Sequence, residues 1–180
     1  MERDEIRLVA PDESLAEAVA AYYRRNRDFL RAFEPERDEA FYTEAHQREA
    51  IRSELRDREA GTAFRFYIQL AGTPGKVIGA IGLNNVVRGV FLSAFLGYKL
   101  DAAHLNRGYM SAAVDRMVRF AFDELQLHRI EANVMPRNGA SLRVLEKNGF
   151  VNEGYSRAYL KINGVWEDHI HMVRLNDALR

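Results

Sequence analysis

Gly97-Tyr98-Lys99-Leu100-Asp101-Ala102-Ala103-His104-Leu105-Asn106-Arg107-Gly108-Tyr109-Met110 is the stretch on which the reading of this chain turns. A strand ends near Leu100, a short loop follows, and a helix opens directly after Arg107-Gly108. Amide groups at a helix start point outward without partners and sit at the positive end of the macrodipole. Such a loop therefore favours a phosphate or pyrophosphate. Gly108 permits close backbone approach, and Asn106 tolerates the left-handed conformation that most residues resist. An ordinary strand–loop–helix joint has the same form, so the stretch gains meaning only from its surroundings.

Downstream, Met110, Ala113, Val114, Met117, Val118 and Ala121 give the new helix a wide apolar face. Arg129 to Val134 reads as a strand. A helix from about Asn138 follows it and closes at Asn148-Gly149-Phe150, a glycine C-cap with an apolar lock. Tyr155 to Ile162 and Val165 to Val173 are strands joined by Asn163-Gly164, a strong two-residue hairpin signal.

Upstream, Ile6 to Val9 reads as a first strand. Leu15, Ala18, Val19, Tyr22 and Tyr23 form one helix stripe, with Ser14 and Glu17 as an expected capping box. Asn26 to Glu34 suggests a short helix stopped by Pro35, and Thr43 to Ala60 a polar surface helix ended by Gly61. Phe64 to Leu70 alternates as a strand, and Val77 to Leu83 returns from the turn at Gly72-Thr73-Pro74-Gly75. A third strand spans about Val90 to Leu100, with Gly97 marking a bulge or a close ligand approach. This order predicts an α+β fold, a single mixed and mostly antiparallel sheet flanked by helices, in one domain over 1–180.

Composition narrows the function. The 180 residues carry 26 Lys+Arg against 26 Asp+Glu and no cysteine. Neutral formal charge argues against a nucleic-acid-coating protein, and no direct nucleic-acid partner is expected. The missing thiols exclude disulfide scaffolds, Cys-ligated zinc, Fe–S clusters and thiol nucleophiles. No apolar run approaches a membrane span of about 20 residues, and the start MERDEIRL lacks a signal-peptide apolar region, so a cytoplasmic protein with no membrane partner is expected.

Three further pieces give the opening stretch its context: Ala132-Asn133-Val134-Met135-Pro136-Arg137-Asn138-Gly139-Ala140-Ser141, then Leu145-Glu146-Lys147-Asn148-Gly149-Phe150, then Glu153-Gly154-Tyr155. Together they resemble the Gcn5-related N-acetyltransferase superfamily, and in particular its ribosomal-protein alanine N-acetyltransferase branch. Arg25 to Leu30, Phe33 to Glu39, Asn85 to Gly89 and Tyr159 to His169 extend the similarity to RimJ-type enzymes over nearly the whole chain. The resemblance implies the acyl-CoA N-acyltransferase fold, acetyl-CoA as co-substrate, and direct attack of an amine on the thioester in a ternary complex. Its implied acceptor is the N-terminal alanine of a ribosomal protein. A small-molecule amine and a catalytically silent acyl-CoA-binding module remain the alternatives, as do monomer and homodimer.

The resemblance places the pyrophosphate on Leu105, Asn106, Arg107, Gly108, Tyr109 and Met110, and the pantetheine arm in a gap between Tyr98-Lys99-Leu100 and Asn133 to Met135. The loop departs from the family pattern at Leu105, which removes a polar side chain, at Asn106, which replaces a glycine, and at Met110, which is expected to narrow the groove. A backbone amide near Tyr98 to Leu100 is the expected oxyanion donor. Ser141 is either the group that protonates the leaving thiolate or a first-turn serine bonded only to backbone; Asn138 is an N-cap, a coenzyme contact, or both.

An α-amine titrates near pH 8 and lysine near 10.4, roughly, so an enzyme acting on chain termini needs only a modest base. Glu34, in an aromatic loop before Pro35, is the first candidate, read equally as a solvated carboxylate; Asp168 and His169 follow. His169 and His171 share a strand face, but no neighbouring carboxylate cluster or cysteine is evident, and no metal site is expected. His104 and His128 read as surface or supporting residues, and the charges from Glu44 to Glu59 as a solvated helix face. Tyr22, Tyr23, Phe29, Phe33, Tyr155, Tyr159 and Trp166 are candidates for an acceptor groove or for plain core.

Overall fold

In the computed structural model, which describes residues 5–179, the chain forms seven strands and five α-helices. These are β1 (Ile6–Val9), α1 (Ala16–Arg25), α2 (Arg27–Leu30), α3 (Glu44–Ala60), β2 (Phe64–Leu70), β3 (Val77–Val87), β4 (Ser93–Leu100), α4 (Tyr109–Arg119), β5 (Arg129–Val134), α5 (Gly139–Lys147), β6 (Val151–Ile162) and β7 (Val165–Leu175). The strands make one sheet in the order β1-β2-β3-β4-β5-β7-β6, antiparallel throughout except between β4 and β5. Residues 1–4 of the predicted start and residue 180 lie outside the described residues.

Alternation along the strands divides the sheet into two faces. One packs against α4 and α5 through Ile81, Leu83, Ala94, Met117, Ile130, Ala132 and Met172, all buried. The other meets α1 and α3 at Tyr67, Val77 and Ala80, with Val19, Tyr22 and Ile51 from the helices. Those helices cover only the β2–β3 part of that face. Beyond it, the strands carry polar side chains.

Several local signals match their elements. Thr43 caps α3, Gly61 ends it at φ 70°, and Asn163-Gly164 turns the last hairpin at φ 50° and 83°. At the end of α5, the Gly149 amide donates to Glu146 O and the Phe150 amide to Leu145 O, which seats buried Phe150 as the expected lock.

Four expectations change. Asp12, not Ser14, opens the first helical segment: its carboxylate accepts from the Ser14 amide and hydroxyl, and Glu17 pairs with Arg24. The Ser14–Glu17 spacing is thus filled by a 3₁₀ turn over Glu13–Leu15. Gly97 makes no bulge, since it pairs in register with Gly82; the irregularity falls between Asn84 and Val87. β4 begins at Ser93, leaving Val90 and Phe91 exposed in the preceding loop. Within the charged face of α3, Glu54 is mostly buried, accepts from Tyr67 Oη at 2.8 Å and pairs with Arg65 at 3.0 Å.

Candidate functional site

The break in the sheet lies between β4 and β5. These parallel strands share three rungs, Ser93↔Arg129, Ala94↔Ile130 and Phe95↔Glu131. Past that point β4 continues to Leu100 bonded only to β3, and β5 continues to Val134 bonded only to β7. The strands therefore fork, and their facing edges lose the backbone partners that a closed sheet supplies. Both arms lead toward helix starts: β4 through the 101–108 loop to α4, and β5 through Met135–Arg137 to α5.

The two helix starts differ. Asn138 caps α5, its Oδ1 accepting from the Ser141 amide at 3.2 Å. α4 has Gly108 at its N-cap, at φ 83°, and no side-chain cap. Its first-turn amides are left for another acceptor. Asn106 adopts the left-handed conformation at φ 59°, as its residue type allows. Leu105 is exposed, whereas Tyr109 and Met110 turn into the core. The expected narrowing by Met110 is thus corrected: its side chain leaves the mouth of the loop clear, and only its backbone remains there.

Asp101 anchors that loop. Its buried carboxylate accepts from the Ala103 amide at 3.0 Å and from Arg25 Nε at 2.6 Å. Burial opposes its ionisation, but these hydrogen bonds, the Ala103 amide first, outweigh it and hold the carboxyl below its ordinary pKa. His104 lies 3.6 Å from the same carboxylate with a mostly buried ring, so it supports the loop from within.

Tyr98 and Ser141 meet across the fork. Their hydroxyls are 2.8 Å apart, and the Tyr98 hydroxyl also donates to Ser141 O at 3.2 Å. The Ser141 hydroxyl thus reaches a side chain and is not confined to the backbone. Burial pushes the Tyr98 phenol up to about 12, so it stays protonated at neutral pH. Lys99 points to the opposite face, where Nζ lies 2.5 Å from Glu34 Oε1 and 5.0 Å from the centre of the Tyr23 ring. Lys99 and Leu100 can therefore offer their backbone to the fork. Glu34 is brought to the site but arrives as an ion-pair partner.

On the opposite side of the fork, Asn133 Oδ1 is buried without a hydrogen-bond partner. An orphaned acceptor beside unpaired strand edges, opposite an uncapped helix start, fits an amide-rich, anionic ligand such as acetyl-CoA. Of the remaining base candidates, Asp168 faces away from this side, held by the Tyr155 hydroxyl and, at 2.8 Å, by the Ala158 amide. His169 is buried, and its Nδ1 lies 3.1 Å from Glu167 O. Among the groove aromatics, Tyr22 is core, while Tyr155 and Trp166 flank a recess of about 340 Å³ with Met135, Arg137 and Asp168.

Two features escaped the sequence reading. A carboxylate does stand beside the histidine pair: Glu131 Oε1 lies 2.8 Å from His171 Nδ1, and His171 Nε2 lies 2.7 Å from Ser156 Oγ. Strand alternation puts Glu131 and Asn133 on one face of β5, but only the β5–β7 register brings that face to His171. The other is the hairpin tip. Asn163 donates to Arg31 O at 2.8 Å and Glu34 O at 3.1 Å and accepts from the Glu36 amide at 2.6 Å, closing the last hairpin onto the loop that carries Glu34.

Comparisons with known proteins agree with this fold. Residues 5–151 match the family model described as an acetyltransferase (GNAT) domain. The chain is 45% identical over 161 residues to a probable N-acetyltransferase, YjcK, of Bacillus subtilis, covering 89% of this chain and 88% of that one. Its fold superposes on the ribosomal-protein-S5-alanine acetyltransferase of Vibrio fischeri with a TM-score of 0.91 at 35% identity, covering 100% of this chain and 97% of that one. RimJ of Mycobacterium smegmatis, solved in complex with CoA-disulfide, gives a TM-score of 0.87 at 26% identity over 98% of this chain and 90% of that one.

Proposed function

This chain belongs to the acetyltransferase (GNAT) family, and from that membership we propose that its acceptor is the α-amino group of a protein chain, specifically the N-terminal alanine of a ribosomal protein. It is an acetyl-CoA-dependent N-acetyltransferase. The observation that carries the reading is the fork between β4 and β5, spanned by the Tyr98–Ser141 hydroxyl pair and headed by the uncapped start of α4. The named activity of the Vibrio fischeri neighbour supports the acceptor assignment.

In this reading the amides of Leu105, Asn106, Arg107, Gly108, Tyr109 and Met110 hold the pyrophosphate, and Asn133 and Asn138 border the pantetheine arm. A backbone amide at Tyr98, Lys99 or Leu100 faces the thioester oxygen, where a positioned donor stabilises developing negative charge. The neutral amine attacks the acetyl carbon, a C–N bond forms and the C–S bond breaks. The thiolate takes a proton from the Ser141 hydroxyl, with Tyr98 beside it to share the charge. A proton delivered to Glu34 would dissolve its pairing with Lys99, so Glu34 serves this reaction better by fixing the strand end than by titrating. The cytoplasm, where ribosomal proteins are made, is the proposed location. No helix among the described residues is long and apolar enough to cross a membrane.

The test has two parts. Acetyl-CoA at about 100 times its Kd should raise the melting temperature by roughly 5–10 °C. Thiol release should then be fastest with peptides beginning in alanine, compared with serine- or methionine-initiated peptides, polyamines and amino-acid conjugates. Preference for a small amine would replace the acceptor assignment, and binding without thiol release for any acceptor would make the chain a silent acyl-CoA-binding module.

A further inference from the structure

Arg25 and Asn26, where α1 gives way to α2, are built onto the loop that leads into α4. Asn26 is 1% exposed, and each of its polar groups is engaged. Its amide and its Nδ2 donate to Tyr22 O at 3.2 and 2.9 Å, and its carbonyl accepts from the Leu30 amide at 2.9 Å. These bonds lock the residue to the helices on either side. Its Oδ1 then accepts from the Ala102 amide at 3.0 Å, a contact spanning 76 positions of chain. Arg25 makes a parallel crossing. Its Nε lies 2.6 Å from Asp101 Oδ2 and its Nη2 donates to Val77 O, so one guanidinium ties the loop to the start of β3.

A boundary falls within that loop. The amides of residues 101–104 are all taken: Asp101 donates to Ile78 O at 2.7 Å, Ala102 to Asn26, Ala103 to Asp101 Oδ1 at 3.0 Å, and His104 to Asp101 O at 2.9 Å. Those from Leu105 to Met110 meet no acceptor among the described residues. The unpaired amides therefore begin where the fixed turn ends. Successive amides converge on an anion only when the backbone that carries them is already in place. α4 brings no side-chain cap of its own, and the turn ahead of it is held from the joint between α1 and α2.

We propose that Asn26, with Arg25 beside it, is a positioning residue for the diphosphate of the coenzyme. It acts through the Ala102 amide and Asp101, since its own side chain is spent within the chain. The proposal rests on the placement of the pyrophosphate at residues 105–110. It assigns the joint to the nucleotide end of the acyl donor and not to the thioester. An acyl donor that stops short of the diphosphate never reaches this loop and is indifferent to Asn26.

The test compares acetyl-CoA with S-acetylpantetheine, which has the same thioester and no diphosphate, using the acceptor that the native chain acetylates fastest. Asn26→Ala should raise KM for acetyl-CoA about tenfold with kcat within about threefold of native. For S-acetylpantetheine, kcat/KM should stay within about threefold of native, so the preference for acetyl-CoA falls about tenfold. A merely structural role would lower both acyl donors together. That result overturns the proposal, as does an unchanged KM for acetyl-CoA. Should Asn26→Ala fail to fold, Arg25→Lys is the second variant, because lysine keeps the charge but cannot hold Asp101 and Val77 O with one planar group. The same selective loss, about threefold or more, is expected, and its absence overturns the proposal. A native chain with no preference for acetyl-CoA over S-acetylpantetheine would instead remove the pyrophosphate assignment itself, and the proposal with it.

Discussion

Two helices start beside the fork, and they start differently. α5 spends a side chain on its own first turn, with Asn138 closing onto the Ser141 amide. α4 opens on a glycine at φ 83° and receives no side-chain cap. An asparagine cap is worth about 1 kcal/mol over alanine but only a few tenths over glycine, so α4, with Gly108 at its N-cap, forgoes a small stabilisation that its neighbour takes. What differs is the occupant. The start of α5 is completed by the chain, while that of α4 has no side-chain cap, as the proposed pyrophosphate site requires.

The most damaging way to break this contrast is at Gly108. Gly108→Val forces a β-branched residue into a left-handed conformation, and the variant should lose the entire acetyl-CoA melting shift while circular dichroism still reports a folded sheet. Next in size is Ser141→Ala, which removes the hydroxyl paired with Tyr98 but leaves the amide that Asn138 caps. Turnover should fall about 100-fold with little change in KM for acetyl-CoA; equal turnover would return Ser141 to a purely structural place.

Asp101, which anchors the approach to α4, sharpens the comparison through pH. Its carboxyl titrates lower in the folded chain than in the unfolded one, where it titrates near 3.9. Its contribution is therefore present above about pH 4 and is lost as pH falls through the depressed native value. In urea melts, Asp101→Asn should be less stable than native by about 1–3 kcal/mol at pH 7, and the gap should narrow toward pH 3. The smallest effect belongs to the capped helix. Asn138→Ala should cost about 1 kcal/mol, or roughly 2–4 °C of melting temperature, with the coenzyme shift retained.

What could be read from the residues follows a physical division. Features written within a few positions were legible: alternation at Phe64 to Leu70, Asn163-Gly164, the Asn148-Gly149-Phe150 lock, and the glycine before α4. Local signals failed where two nearby groups competed, as Asp12 engaged the Ser14 amide and hydroxyl and opened the helical segment two residues earlier. Pairings set by register were out of reach. Glu131 and His171 are 40 positions apart, and Tyr98 and Ser141 are 43 apart. The same limit explains Glu54, which belongs to a helix of solvated charges yet lies over Tyr67 and Arg65. The arms of the fork were found through family resemblance; the Glu131–His171 pairing needed the sheet.

The knot at Asn163 has a mechanical corollary. Three hydrogen bonds weld the tip of the last hairpin to residues 31–36, more than 120 positions earlier in the chain. The hairpin tip and the loop that carries Glu34 therefore travel as a unit, and a peptide acceptor threaded past them would meet a closed ring of chain. Trypsin offers a gauge: Arg31 and Arg37 should resist cleavage in the native chain, and Asn163→Ala should expose both at once although neither residue was altered.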